Sequence, residues 1–430
     1  MFKRIFVIAF IYICTVIAWF VLGQTVDIRT RTQDNKLRLE VGQLWGTVQR
    51  QEAPSVFYRT KEIVITKEET DKKDGKIVRE TKTITVDNPI SLDAGDINVD
   101  LKLDYRKKGL LWYSTYRVGF SGIYRITNNT GKTRKFHFTL NLPSKGSVYD
   151  NFRLVLGNRE VTDIQIADGR LHESLVIEAG KSENVEVGYF TQGMDEWWYN
   201  FGTDVTQIKN FSLVMNTNFD KVDFPQDSIS PTEKQKTDKG WKLTWKYSNL
   251  LSGAQIGMDM PKKLNPGPWV SKVIYFAPVS LFLFFFLLFI FTTMKKVNVH
   301  PMNYFFIGCA FFAYHLLLAY LVDHVSIHAS FWICSAVSIF LVISYMRLVV
   351  GYKFAFLEVG LSQLIFLVFF SYTFFFKGYT GLAVTIMCIA TLFVVMQLTG
   401  KIDWGKIDKK DEKPPGNDKP MATLVKKREN

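Results

Sequence analysis

The chain has 430 residues, 47% of them hydrophobic, with a formal net charge of +13. That charge is not spread evenly: residues 24–270 hold 36 Lys and Arg against 32 Asp and Glu, while the apolar segments with their connectors and first residues contribute +6 and the stretch from Lys401 contributes +3. Positive charge gathered beside apolar segments is what membrane orientation requires, so no nucleic-acid partner is implied.

Met1–Gly23 opens with Lys3 and Arg4 and runs on as IFVIAFIYICTVIAWFVLG. This run exceeds a typical signal-peptide core, and no A-x-A site follows, so residues 1–23 are expected to be an uncleaved transmembrane helix. Residues 24–54 keep a helical pattern, with Leu37, Val41, Leu44 and Val48 forming one apolar stripe until Pro54. This predicts a juxtamembrane stalk helix whose stripe packs on its own domain, since a dimerising coiled coil needs more heptads.

From Ser55 the hydrophobic period becomes two. Glu62–Lys67 and Lys76–Val86 are expected to form a hairpin around Asp74-Gly75. Further strands are expected at Leu101–Tyr105, Trp112–Asn128, Lys135–Leu142, Phe152–Leu156, Ser174–Ile177, Asn184–Phe190, Phe211–Asn216 and Trp241–Tyr247. Short alternating strands punctuated by turn residues predict an antiparallel, sandwich-like β domain over residues 55–268, ending in the stiff linker Pro261–Pro268.

Residues 271–398 hold five apolar runs, Ile274–Met294, Met302–Val322, Ala329–Val350, Phe354–Phe376 and Thr380–Leu398. As helices each is long enough to cross a hydrocarbon core of about 30 Å. The fold expected is therefore an α+β membrane protein: one N-terminal transmembrane helix, a β-rich extracytoplasmic domain and a C-terminal five-helix bundle, six crossings in all. Lys295-Lys296, Arg347, Lys353 and the lysines from Lys401 onward fall on one side of that scheme, which places both termini in the cytoplasm and residues 24–270 outside. Residues 399–430 read as a basic, disordered tail. Cys14, Cys309, Cys334 and Cys388 lie on four different apolar runs, so the β domain has no disulfide, and the thiols are expected to be small apolar packers.

Four separated pieces resemble the CreD family of bacterial inner-membrane proteins. Leu44-Trp45-Gly46-x-x-Gln49 before Pro54 is similar to the family's juxtamembrane pattern, with Ala53 where the family usually has Gly. Arg106-Lys107-Lys108-Gly109-Leu110 looks like its basic-Gly segment. His300-Pro301-Met302-x-Tyr304 looks like its HPM-x-Y start, with Asp323-His324 where Glu-His is frequent. Thr399–Trp404, with Asp403 and Trp404, is similar to the closing T-R-x-I-D-W. Between the last two helices, Lys377-Gly378-Tyr379 replaces an acidic pair, so a role tied to that turn does not carry over. The resemblance implies a multi-pass inner-membrane protein tied to envelope integrity or envelope-stress response, with no established catalytic activity.

Among candidate sites, Glu358 is the acid placed well inside an apolar run, with Gln363 and His315 at similar depth. A carboxyl in hydrocarbon is costly, so the group is either a proton- or ligand-handling site or a shallow, snorkelling residue; Lys353 nearby favours the shallow version. Asp323, His324 and His328 cluster at a connector, where interfacial anchoring is the default and a metal site the alternative. His300-Pro301 and Asp403-Trp404 read as boundary devices. Trp197-Trp198-Tyr199 and Trp112-Tyr113 are core, or, if exposed, glycan-binding or membrane-dipping surfaces; adjacent Trp on a strand point to opposite faces, which leaves one of them open to exposure, but burial is the leading reading. No nucleophile elbow, S-x-x-K or phosphate loop stands out, and no cofactor is implied. The reading is a non-enzymatic envelope protein whose partners are the bilayer and a cell-wall or envelope protein component bound by the β domain. Transport or proton-coupled sensing through the bundle is the alternative.

Overall fold

The computed structural model describes residues 2–70, 77–202, 206–376 and 378–400. The expected turn at Asp74-Gly75, Lys377, and the terminal stretch with Lys401, Asp403 and Trp404 lie outside them. The chain divides into two compact units, one taking residues up to Arg31 together with those from Pro266, the other Thr32–Asn265.

Helix α1 is Phe2–Trp45, a single helix of 44 residues. The transmembrane helix expected at 1–23 and the stalk expected at 24–54 are thus one element. It stops at Gly46, whose φ of +116° few other residues adopt, and not at Pro54. Its polar half is supported by the i,i+4 pairs Arg31–Asp27 (2.9 Å) and Arg38–Asp34 (3.8 Å).

In the first unit, α2 is Pro266–Met294, α3 Pro301–Leu321, α4 Ile327–Val350, α5 Tyr352–Phe375 and α6 Thr380–Thr399. With α1 they make six helices long and apolar enough to cross a membrane. The five C-terminal runs are where the hydropathy placed them, apart from α2. That helix begins inside the expected Pro261–Pro268 linker, because proline is tolerated in a first turn, where its missing N–H would be unpaired anyway. Helix α5 departs from α geometry: Ala355–Gly360 and Leu364–Phe369 are π-helical and Thr373–Phe375 is 3-10. Wide turns leave carbonyls poorly paired in an apolar medium, and Ser280 on α2 donates its hydroxyl to the Phe366 carbonyl. The bundle core is aromatic, for example Phe284 on Phe311 at 4.8 Å and Trp269 on Phe375 at 4.5 Å. Cys334 is buried there as expected, whereas Cys14 and Cys309 are exposed rather than packed.

The second unit is β-rich. Its strands are β1 (Gln49–Glu52), β2 (Ser55–Thr70), β3 (Ile77–Ile90), β4 (Ala94–Leu103), β5 (Arg106–Lys108), β6 (Leu111–Tyr113), β7 (Thr115–Thr127), β8 (Arg134–Asn141) and β9 (Asp150–Leu156). They continue as β10 (Arg159–Glu160), β11 (Ile166–Ala167), β12 (Arg170–Ile177), β13 (Ser182–Met194), β14 (Glu196–Asn200), β15 (Thr206–Thr217), β16 (Glu233–Lys236), β17 (Trp241–Ser252) and β18 (Ile256–Asp259). An eight-stranded sheet runs β10-β9-β13-β7-β4-β15-β17-β16, a five-stranded sheet β11-β12-β8-β2-β3, a three-stranded sheet β1-β14-β18, and β5 pairs β6. The sheets share one core, to which Val118, Phe120 and Leu213 come from the first, Phe136, Phe138 and Leu140 from the second, and Trp197, Tyr199 and Met258 from the third. Pairing is mostly antiparallel, but β4–β15 and β1–β14 are parallel, which corrects the purely antiparallel expectation.

Candidate functional site

Two segments far apart in sequence meet in the β-rich unit. Trp45 ends α1, and the Arg106 guanidinium of β5 lies 3.4 Å from the centroid of its ring, with Arg117 at 5.7 Å. Leu37, Val41 and Trp45, spaced i, i+4, i+8, pack with Leu111, Tyr113 and Met194. The helix end therefore lies on its own domain, through Leu37-Val41-Trp45 rather than the stripe containing Leu44, which is exposed. Gly109, at φ +57°, turns the chain beside Leu37. At Gly46 a Cβ would collide with the Gln192 carbonyl, so the chain turns there only because that atom is missing.

From this turn β1 runs into the core carrying two fully buried glutamines, Gln49 and Gln51. Gln49 Nε2 donates to Ser147 Oγ at 2.8 Å and to the Thr47 carbonyl at 3.1 Å. Tyr189 Oη donates to Gln51 Oε1 at 2.6 Å, and Tyr116 Oη to the Glu196 carbonyl at 2.5 Å. Burial pushes the Tyr116, Tyr189 and Tyr199 phenols well above their ordinary range, so each stays a hydrogen-bond donor. Neighbouring Arg38 of α1 pairs with Asp195, which sits at φ +70°, and Asp34 accepts from Tyr113 Oη at 3.1 Å. Burial raises the Asp195 carboxyl, against the opposing pull of Arg38 and Lys262.

The dense aromatic cluster is core. Trp197, Trp198 and Tyr199 are all buried, which is the leading reading of this cluster, and the alternative of an exposed tryptophan on one face is not found. Strand β14 is central in its sheet, and the Trp198 ring is covered by Arg50 at 4.8 Å, with its Nε1 donating to Glu196 Oε2 at 2.8 Å. Tyr113 is buried, and Trp112 lies under the Lys263 ammonium at 4.0 Å.

Next to this cluster opens a pocket of 190 Å³. Tyr124, Tyr199, Phe201 and Phe211 line it with Ala94 and Gly95, and Ser91, Gln207 and Lys209 add polar groups. The Tyr124 and Tyr199 hydroxyls face each other at 3.5 Å. Apart from Tyr199, none of these residues stood out in the sequence, because sheet pairing alone makes positions of β4, β7, β14 and β15 and their flanking loops converge.

In the membrane unit the three polar candidates do not converge among the described residues. Glu358 lies in the first π segment of α5 and pairs with Lys295 at the end of α2. Lys295 is half exposed, which fits the shallow version of this carboxyl. Gln363 is fully buried between the two π segments and donates to Ser338 Oγ on α4 at 3.0 Å. His315 is fully buried; its Nδ1 donates to the Phe311 carbonyl at 2.8 Å and its ring meets Trp19 edge-on at 5.4 Å. His300 caps α3, its Nδ1 accepting from Met302 N at 3.2 Å, with Pro301 in the first helical position and Tyr304 buried against Phe285. Asp323 is held by Arg29 of α1 at 3.2 Å. His328 stacks on Phe375 at 4.6 Å, and the backbone N–H of His324 donates to the Leu321 carbonyl at 3.0 Å, so this trio is divided among separate contacts. The missed residues here are the partners Lys295, Ser338 and Arg29, which only packing reveals.

Among curated proteins none matches the chain. Of solved structures, a candidate nutrient-binding protein of Legionella pneumophila subsp. pneumophila str. Philadelphia 1 is similar at 10% identity and a TM-score of 0.32, covering 53% of this chain and 74% of that one. The family model described as "Inner membrane protein CreD" matches residues 209–405. Over that span, from β15 through the helices of the C-terminal bundle, the chain matches the family of inner membrane proteins that this model describes.

Proposed function

We propose that this protein is a non-enzymatic inner-membrane protein that supports envelope integrity or the envelope-stress response through binding by its β-rich domain. Both termini lie in the cytoplasm and residues 24–270 in the periplasm, in keeping with Lys3, Arg4, Lys295 and Lys296 flanking the helix ends on one side. The observation that carries the reading is the aromatic-walled pocket beside Tyr124 and Tyr199. An apolar wall with a few placed polar groups is how binding sites combine affinity with orientation. Its 190 Å³ hold about six waters' worth of volume, enough for one sugar ring or one amino-acid side chain of a cell-wall or envelope-protein partner.

The test uses full-length protein in nanodiscs, incubated with isolated cell-wall fragments and with envelope extract. Ala94→Trp fills the pocket from its rim. Capture of a wall fragment or envelope protein by the native chain, lost in Ala94→Trp at unchanged thermal stability, supports the reading. No capture by the native chain, or equal capture by both, refutes it.

A further inference from the structure

A second site lies in the membrane unit, independent of that pocket. Between the first turns of α1 and the last turns of α2 runs a groove of 370 Å³. It is walled by Ile5, Ile8, Ala9 and Tyr12 on α1 and by Phe282, Phe285, Phe286 and Phe289 on α2. Residues 5–12 and 282–289 each span two turns, so the groove is about 10 Å long. One end is closed by Tyr12, whose hydroxyl donates to the Pro278 carbonyl at 3.1 Å. Ile5, Phe282 and Phe286 are exposed along it, so it opens to the acyl chains around the bundle.

The other end is charged. The Arg4 guanidinium lies 5.8 Å from the ring centroid of Phe289, a groove residue, and 6.0 Å from that of Tyr304. Arg4 has five N–H donors. Among the described residues no carboxylate pairs with it, it donates to Thr292 Oγ1 at 3.5 Å, and its Nε is buried without a partner. A guanidinium at the end of a membrane helix with unused donors matches a phosphate diester, which accepts two N–H bonds at once. The aromatic rings beneath it lower the cost of holding the cation there.

We infer that α1 and α2 form a binding site for one anionic glycerophospholipid, its phosphate on Arg4 and one acyl chain in the groove ending at Tyr12. The bound lipid fills the gap between two helices that are joined in sequence only through the β-rich domain.

Full-length protein is reconstituted in nanodiscs of equal phosphatidylglycerol and phosphatidylcholine, extracted in mild detergent, and its retained lipid counted by native mass spectrometry. The native chain is expected to retain phosphatidylglycerol about fivefold over phosphatidylcholine, the factor one surface Arg supplies. Arg4→Gln should retain a lipid without that preference, and Ala9→Trp should retain neither kind. Because Ala9→Trp can disturb α1 packing, native protein is also labelled with a photoreactive acyl chain, and labels on Phe282, Phe285, Phe286 or Phe289 support the site. Unchanged preference in Arg4→Gln, labels confined to other helices, or cross-links showing a second copy of the chain in the groove would each overturn it.

Discussion

The guanidinium of Arg106 sits 3.4 Å over the ring of Trp45, joining the last residue of a 44-residue helix to the first short hairpin of the β-rich unit. Both residues lie in segments that resemble family patterns, and the structure gives those segments a common purpose: they fix where the helix ends and the domain begins. Trp45→Ala removes a half-buried indole and should destabilise the β-rich unit by about 2–3 kcal/mol. Arg106→Ala should cost about 1 kcal/mol. The two losses should not add, and a double-mutant cycle read by denaturant unfolding should give a coupling of about 0.5–1 kcal/mol. Strict additivity would mean the stack contributes no pairwise energy.

Gly46 is the geometric partner of that stack. At φ +116°, with the Gln192 carbonyl against the missing side chain, Gly46→Ala is strained twice. A loss of about 2–4 kcal/mol is expected, visible as early proteolysis at residues 46–48. Gly131→Ala, at a turn where the new methyl meets nothing, should stay within about 0.5 kcal/mol of the native chain.

Asp195 makes stability depend on pH. Burial raises its carboxyl above the ordinary aspartate value of 3.8, while Arg38 and Lys262 pull it back down. In the window between 3.8 and the raised value the folded chain holds the proton more tightly than the unfolded chain. Stability therefore falls as pH climbs through that window and is level above it. Thermal unfolding of Asp195→Asn should lack this component, so the difference between variant and native midpoints should change with pH just above 3.8 and be constant near neutrality. A difference that is flat throughout would show that Arg38 fully offsets the burial.

Glu358 and Lys295 form a pair in which the carboxylate is far less exposed than the ammonium. Lys295→Met leaves that carboxylate without its counter-charge and should lower stability in detergent by about 1–2 kcal/mol. Glu358→Gln, which keeps the hydrogen-bonding shape, should cost less, and the double variant should recover most of the loss. If Glu358→Gln instead abolished the proposed partner capture at unchanged stability, the carboxyl would carry function rather than anchorage.

The sequence by itself determined the membrane architecture. Runs of about twenty apolar residues have one low-energy outcome in lipid, since a helix alone satisfies its own backbone there, and the helices from α3 to α6 fall within two residues of their apolar runs. The resemblance carried by His300-Pro301 and by Thr399–Trp404 was likewise legible, and the family match over residues 209–405 agrees with it, whereas the Trp45 and Arg106 segments lie outside that match. The β strands were legible where side chains alternate strongly, as in β7 and β13, less so in β4, where Ile97, Val99 and Leu101 alternate with Asp and Asn before the start expected at Leu101.

Tertiary structure decided everything that depends on which strands and helices become neighbours. Parallel pairing of β1 with β14 buries both Trp197 and Trp198, which no alternation rule anticipates, because a short strand in the middle of a sheet can be covered on both faces. The partners of the charged candidates were equally hidden: Arg29 reaches Asp323 and Lys295 reaches Glu358 across long stretches of chain. A residue's type announces a cost, such as a carboxyl in hydrocarbon or a glutamine in a core, but the neighbour that meets that cost is fixed only when the chain packs.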